Sequence, residues 1–163
     1  MENKNPNSIK RSEALVKFSK EHHSALLLCW KIKQGIKKNI EPKRMANYVL
    51  FFFNNNLKNH FAEEEKILFS KLNNDDILKQ QALTEHNNIY GMIENFKTEN
   101  YSKEDLTTFA DYLDNHIRFE ERILFNYIQQ KLSENELQVV LNSQTPAFTD
   151  DVDIKWNDYF WEN

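Results

Sequence analysis

The chain has 163 residues, a formal net charge of -4, 40% hydrophobic and 13% aromatic residues, and only two glycines and three prolines. That length and apolar content suit one domain with its own core and exclude wholesale disorder. The mild acidity, with Lys and Arg scattered and no basic block, excludes nucleic acid as a partner, and the single Cys29 excludes an intramolecular disulfide and a thiolate zinc cage.

Residues 1–11 are polar and lack the apolar core of a signal peptide, and no apolar run approaches the about 20 residues of a membrane span. A cytoplasmic protein without membrane contact is expected. Few Gly and Pro and no strand-like alternation point to an all-α fold. The first helix is expected from about Ser12 to Asn39, with Leu15, Phe18, His22, Cys29, Ile32 and Ile36 at helical spacing on its inward seam. Pro42 suits the first turn of a second helix reaching about Leu72, because proline lacks the amide hydrogen that goes unpaired there. Its seam is Met45, Val49, Phe52 or Phe53, His60, Glu64 and Leu68. Asn73, Asn74 and Asp75 form a turn and cap before a third helix with Leu78, Ala82, His86, Ile89 or Tyr90, Ile93 and Phe96 inward. Ser102 to Asp105 reads as a capping box for a fourth helix, with Leu106, Phe109, Leu113, His116, Glu120, Leu124 and Ile128 inward. Ser133 opens a short fifth helix ending near Ser143, followed by an acidic tail with an aromatic end. The expected architecture is one domain over 1–163: an up-down-up-down antiparallel four-helix bundle over about 12–131, a short helix at about 133–143, and a tail at 145–163. Trp156, Tyr159, Phe160 and Trp161 in that tail either dock on the bundle or form a homodimer or partner contact.

Residues 59–69 align without gaps on residues 115–125, and the asparagine, the histidine, two trailing glutamates and Ile-Leu-Phe coincide. Glu21-His22 and Glu85-His86 form a weaker second match, so the chain reads as two copies of a hairpin. The midpoints between His22 and His60, Glu64 and His86, and His86 and His116 fall at Glu41-Pro42, Asp75 and Tyr101-Ser102, each a turn signal. Helices rising about 1.5 Å per residue from such turns bring His22, His60, Glu64, His86, His116 and Glu120 to one level.

In each His-x-x-x-Glu motif the two side chains share a helix face, so an imidazole and a carboxylate can serve one ion. This donor set suits Fe, Mn, Zn, Co or Ni better than Ca²⁺ or Mg²⁺. One such pair arises by chance about one time in ten in a chain this rich in Glu, whereas two inside aligned repeats carry information. The expected site is a pair of metals, each with two histidines, bridged by Glu64 and Glu120, with open positions for oxygen, peroxide or nitric oxide. His23 lies about 100° around the helix from His22 and competes with it. Glu63 is a candidate third carboxylate contact, and Glu65 and Glu121 are expected to be solvated or to act outside the ligand set. Cys29 on a core seam reads as a buried, inert thiol.

Phe18-to-His22, His60-to-Glu64, Glu85-His86 and His116-to-Glu120 together resemble the hemerythrin-like, or HHE cation-binding, family across helices one to four. The resemblance implies a non-haem di-iron centre with carboxylate bridges and places its ligands on the same six residues; zinc or manganese are the alternative metals. Two departures bear on function. Oxygen-carrying hemerythrins have another histidine one turn after the third-helix one, where this chain has Tyr90, and they place the last carboxylate five residues after its histidine, where Glu120 follows His116 by four. The pattern is thus similar to the bacterial HHE branch, with a coordination position left to Tyr90, His23, Glu63 or water. Three functions follow: a di-iron protein that binds oxygen or a related diatomic, or handles or senses iron; a di-iron enzyme reducing peroxide or nitric oxide; or an interaction scaffold with a structural metal or none.

Overall fold

Helix α1, Glu13–Lys37, begins after Ser12, ends on Lys38 and turns through Asn39, whose φ of 58° is the left-handed conformation an asparagine tolerates. The computed structural model describes residues 10–148, 153 and 155–162, so the expectation for residues 1–9 lies outside the described residues. Pro42 occupies the first turn of α2, residues 42–71, as its missing amide allows. The cap of α3, Ile77–Phe96, is Asp76 and not a residue of the expected Asn73–Asp75 turn, because it is the Asp76 carboxylate that reaches the Leu78 and Lys79 amides, at 3.0 and 3.2 Å. Ser102 and Asp105 exchange side-chain and backbone bonds as a capping box at the start of α4, residues 103–131. Ser133 and Glu136 do the same for α5, Glu134–Asn142. Among the described residues every element is helical, and α1, α2, α3 and α4 pack on one another as a bundle with α5 against α1.

The second and fourth helices keep their expected spans but are not α-helical throughout. In α2 the α-helical stretches Pro42–Phe52 and Lys58–Glu63 are separated by a π-helical turn at Phe53–Leu57, and a second π turn at Glu64–Leu68 leads into a final 3₁₀ turn, Phe69–Lys71. In α4 the π turn is Glu120–Leu124, between Lys103–Phe119 and Phe125–Lys131. The Phe69 amide donates to the Glu64 carbonyl and the Phe125 amide to the Glu120 carbonyl, each five residues on. Both turns therefore start on the carboxylate of an aligned repeat, and π turns of this kind gather at functional sites.

Two apolar clusters fill the bundle. One joins the C-terminal half of α1 to the facing parts of α2, α3 and α4 around Leu28, Ile32, Tyr48, Val49, Phe61, Ile93, Phe109 and Leu113. The other gathers Leu15, Phe18, Leu68, Phe69, Ala82, Leu124, Phe125, Ile128 and Val140. The histidines and glutamates lie between the two.

The tail closes the first cluster. Phe160 and Trp161 are buried, Trp161 stands 4.8 Å from the Tyr48 ring, and Trp156 packs 4.7 Å from Phe51. The buried Lys31 ammonium lies 4.2 Å from the Trp161 ring and 2.5 Å from Asp153, which also accepts the Tyr48 hydroxyl at 2.7 Å. A buried ammonium is thus paired, as its desolvation requires. These rings are spent on the bundle itself, and Tyr159 is the tail aromatic left exposed. Cys29 is buried as expected, and burial pushes its thiol up to about 12.

Candidate metal centre

The inward seams carry six polar side chains into the middle of the bundle: His22 from α1, His60 and Glu64 from α2, His86 from α3, and His116 and Glu120 from α4. All six are buried, the two carboxylates completely. Donor atoms of His22, His60, Glu64 and Glu120 lie within 4.8 Å of one another, as do those of His86, His116 and Glu120, so Glu120 belongs to both groups. His60 Nε2 is 2.9 Å from Glu64 Oε1, and His116 Nε2 is 3.0 Å from Glu120 Oε1, the two motifs behaving alike. Across the bundle, His22 Nε2 is 2.9 Å from Glu120 Oε2 and 3.5 Å from Glu64 Oε2, while His86 Nε2 is 3.5 Å from Glu64 Oε1 and 3.4 Å from Glu120 Oε1.

These contacts are close without the alignment of hydrogen bonds. All four Nε2 atoms and all four carboxylate oxygens are buried without a hydrogen-bond partner. Eight orphaned polar atoms in one dry volume would cost many kcal/mol if nothing compensated them, since each buried, unpaired group costs on the order of 1–3 kcal/mol and charged ones more. Donors about 2.1 Å from a common ion and 90° to 110° apart are separated by about 3.0 to 3.4 Å, close to the separations seen. The residues present therefore fit a bound transition-metal centre.

Each outer imidazole nitrogen faces another carboxylate. His60 Nδ1 is 3.0 Å from Glu21, His116 Nδ1 is 2.8 Å from Glu85, and His22 Nδ1 is 2.6 Å from Glu121. His86 Nδ1 is 3.6 Å from Glu65. A carboxylate in this place fixes ring orientation and leaves Nε2 free for a metal. The sequence reading set Glu65 and Glu121 outside the ligand set and used Glu21 and Glu85 merely to align the repeats. Their signal was available: each lies one residue from a candidate ligand, in both copies.

Charge follows the geometry. Burial opposes a charged His22, but Glu120, Glu121 and Glu64 outweigh it and hold its pKa well above the ordinary value. His86 is also raised well above, against burial, by Glu120, Glu64 and Glu65. His60 and His116 are raised too, with Glu64 and Glu120 respectively as the leading opponents of burial. Burial raises Glu64 and Glu120, and the facing histidines, His60 and His116 foremost among them, bring both below the carboxylate range. Without metal the cluster is a tight set of imidazolium–carboxylate contacts, so a metal and these protons compete for the same atoms.

Aromatic rings seal the centre. Phe125 stacks on His22 at 5.2 Å and Phe61 on His86 at 4.1 Å. Phe69, the repeat counterpart of Phe125, lies 5.6 Å from His86. The wide π turns rotate the residues after Glu64 and Glu120 around the helix axis, where the two phenylalanines meet these rings.

Three alternative ligands stand outside the cluster. His23 is exposed, because a step of one residue on α1 turns it away from the seam. Glu63 ion-pairs with Lys17 and accepts the Thr145 amide at 2.7 Å. Tyr90 is half-buried against Phe53 and Phe61, and burial pushes its hydroxyl up to about 12.

The family model for the hemerythrin HHE cation-binding domain matches residues 14–128, so the chain belongs to that family. No curated protein and no solved structure matches it. The match ends before α5 and the tail.

Proposed function

We propose, from its membership of the hemerythrin HHE cation-binding family, that this chain holds two iron ions and binds oxygen or a related diatomic at them. His22 and His60 would hold one ion and His86 and His116 the other, with Glu64 and Glu120 available to both. The observation that carries this reading is the convergence of four orphaned Nε2 atoms and four orphaned carboxylate oxygens at separations of 2.9 to 3.5 Å. The pseudo-twofold repetition of His-x-x-x-Glu favours two ions over one, and the meeting of His22 with His60 and of His86 with His116 is what an up-down-up-down antiparallel bundle produces.

Iron so held would supply open coordination positions and a change of oxidation state. The protein's part is to hold. Glu21, Glu85 and Glu121 keep the outer nitrogens of His60, His116 and His22 occupied, so that these three rings present Nε2. Glu64 and Glu120 bring two negative charges to offset the metal charge. Phe61, Phe69 and Phe125 pack on the histidine rings and limit the access of water to them.

Metal content per chain after expression with iron supplied, measured by plasma mass spectrometry, tests the reading. About two irons, with absorption that changes on adding and removing oxygen, is the expected result. Zinc alone or no metal would overturn it. Turnover of peroxide or nitric oxide that disappears in Glu120→Ala would replace this reading with that of a reductase.

A further inference from the structure

We propose that the two metal positions are unequal and that the one formed by His22 and His60 is the tight, slowly exchanging position, held so by Lys17, Ser19, Arg11 and the Phe148 amide acting as positioning groups. The inference rests on the two-ion reading above.

The two halves repeat their histidines and bridging glutamates but not what supports them. In the first half, Glu21 uses one oxygen for His60, at 3.0 Å, and the other to accept the Phe148 amide at 3.2 Å, with the Lys17 ammonium 3.8 Å away. Its side chain is 3% exposed. Glu121, 2.6 Å from His22, is in turn held by Arg11 and by the Ser19 hydroxyl, each at 3.1 Å. In the second half, Glu85 meets His116 at 2.8 Å but is held by Gln81, an exposed side chain, at 3.0 Å. Glu65 stops 3.6 Å from His86 Nδ1, which is buried without a hydrogen-bond partner. Glu85 and Glu65 are 19% and 33% exposed, and Glu121 is 27% exposed, so by burial only Glu21 stands apart; the halves differ otherwise in what holds each carboxylate.

The difference is written in the sequence. Lys17 and Gln81 both stand four residues before the glutamate of a Glu-His pair, and Ser19 and Leu83 both stand two before it. One copy has a cation and a hydroxyl; the other has a neutral amide and an aliphatic chain that cannot donate. The Phe148 amide comes from beyond the family domain and reaches the first half. Charge alone would oppose the assignment, since two cations sit near the first position. Each is already matched, Lys17 by Glu63 and Arg11 by Glu121, so what they contribute is fixed acceptors. The extra negative charge of the second half sits on partly exposed carboxylates, where screening weakens it. Loss of such a supporting partner typically lowers metal affinity about 10–100-fold, so the two positions should differ by about that factor.

The test is an anaerobic titration of the full chain, freed of metal, with cobalt(II), followed by visible absorption and by competition with a chelator. Two steps about 10–100-fold apart are expected. His60→Ala should remove the tight step and His116→Ala the weak one. Lys17→Gln combined with Ser19→Ala should move the tight step toward the weak one and leave the weak one in place, while Lys17→Arg should keep the separation. Helical content by circular dichroism checks each variant, and His60→Gln replaces His60→Ala if the latter does not fold. Equal steps, or a tight step that survives in the His60 variants and is lost in His116→Ala, would overturn the proposal. A total of one ion in the unaltered chain would strike the two-ion reading, and the same pair of variants would still decide: loss with His60 supports the inference, loss with His116 overturns it. No binding at all overturns both.

Discussion

His60 Nδ1 lies 3.0 Å from Glu21 Oε1 although the residues are 39 apart in the chain, and His60 Nε2 lies 2.9 Å from Glu64. One imidazole is thereby gripped on its outer side from α1 and left open on its inner side. Glu21→Gln keeps the shape of that contact and removes its charge, so iron or cobalt affinity should fall about 10–100-fold with little loss of helix content. An unchanged affinity in a chelator competition would show that the contact does not support the ligand.

His23 is exposed whereas its neighbour His22 is buried 2.9 Å from Glu120. His23→Ala should retain full metal content and His22→Ala should lose at least one ion per chain, both read by plasma mass spectrometry. Equal losses in the two variants would mean that the face of α1 is misassigned.

The four histidine pKa values lie above the ordinary 6.5 in the metal-free protein, and a ligating Nε2 must be unprotonated. Metal affinity should therefore keep rising with pH beyond 6.5, with proton release detectable by titration calorimetry in buffers of different ionisation enthalpy. The metal-free fold follows the opposite slope on its basic side. Raised histidine values contribute stability that is complete below 6.5 and lost as pH climbs through the folded-state values, whereas the lowered Glu64 and Glu120 contribute stability present above 4.5 and lost on acidification. The gap in melting temperature between metal-loaded and metal-free protein should widen from pH 6 to pH 8; a gap that narrows would contradict this.

Chelation at pH 7.5 should lower the melting temperature, because it removes a ligand that binds the folded chain and not the unfolded one. At metal concentrations 100 times the dissociation constant, each ion adds about 2.7 kcal/mol. A melting curve indifferent to chelator would mean that the centre contributes nothing to the fold.

A methyl group on Gly35 would come 2.5 Å from Met45 Sδ and 3.0 Å from Phe160 Cε2. Met45 is fully buried, so it has little room to move. Gly35→Ala should destabilise the protein by about 1–3 kcal/mol, or about 2–4 °C in Tm per kcal/mol, at unchanged metal stoichiometry. A rise in Tm would show that the methionine yields.

Residue order alone was enough for the helices, their caps at Ser102 and Ser133, and the convergent set of six. Periodicity places a side chain on a face, and equal spacing from a turn places it at a depth, and both follow from the constant pitch and rise of a helix. The π turns at Glu64 and Glu120 left no such trace, since a carbonyl that accepts from the fifth residue in place of the fourth is chosen by packing and by the site rather than by local propensity. Nor could spacing show that Glu21 reaches His60, that Glu121 reaches His22, or that the Phe148 amide closes over Glu21, because these pairs join separate helices through side-chain directions that periodicity does not specify. Sequence left His22 and His23, a single residue apart, in competition, and it took the packed bundle to bury one ring on Phe125 and turn the other to solvent.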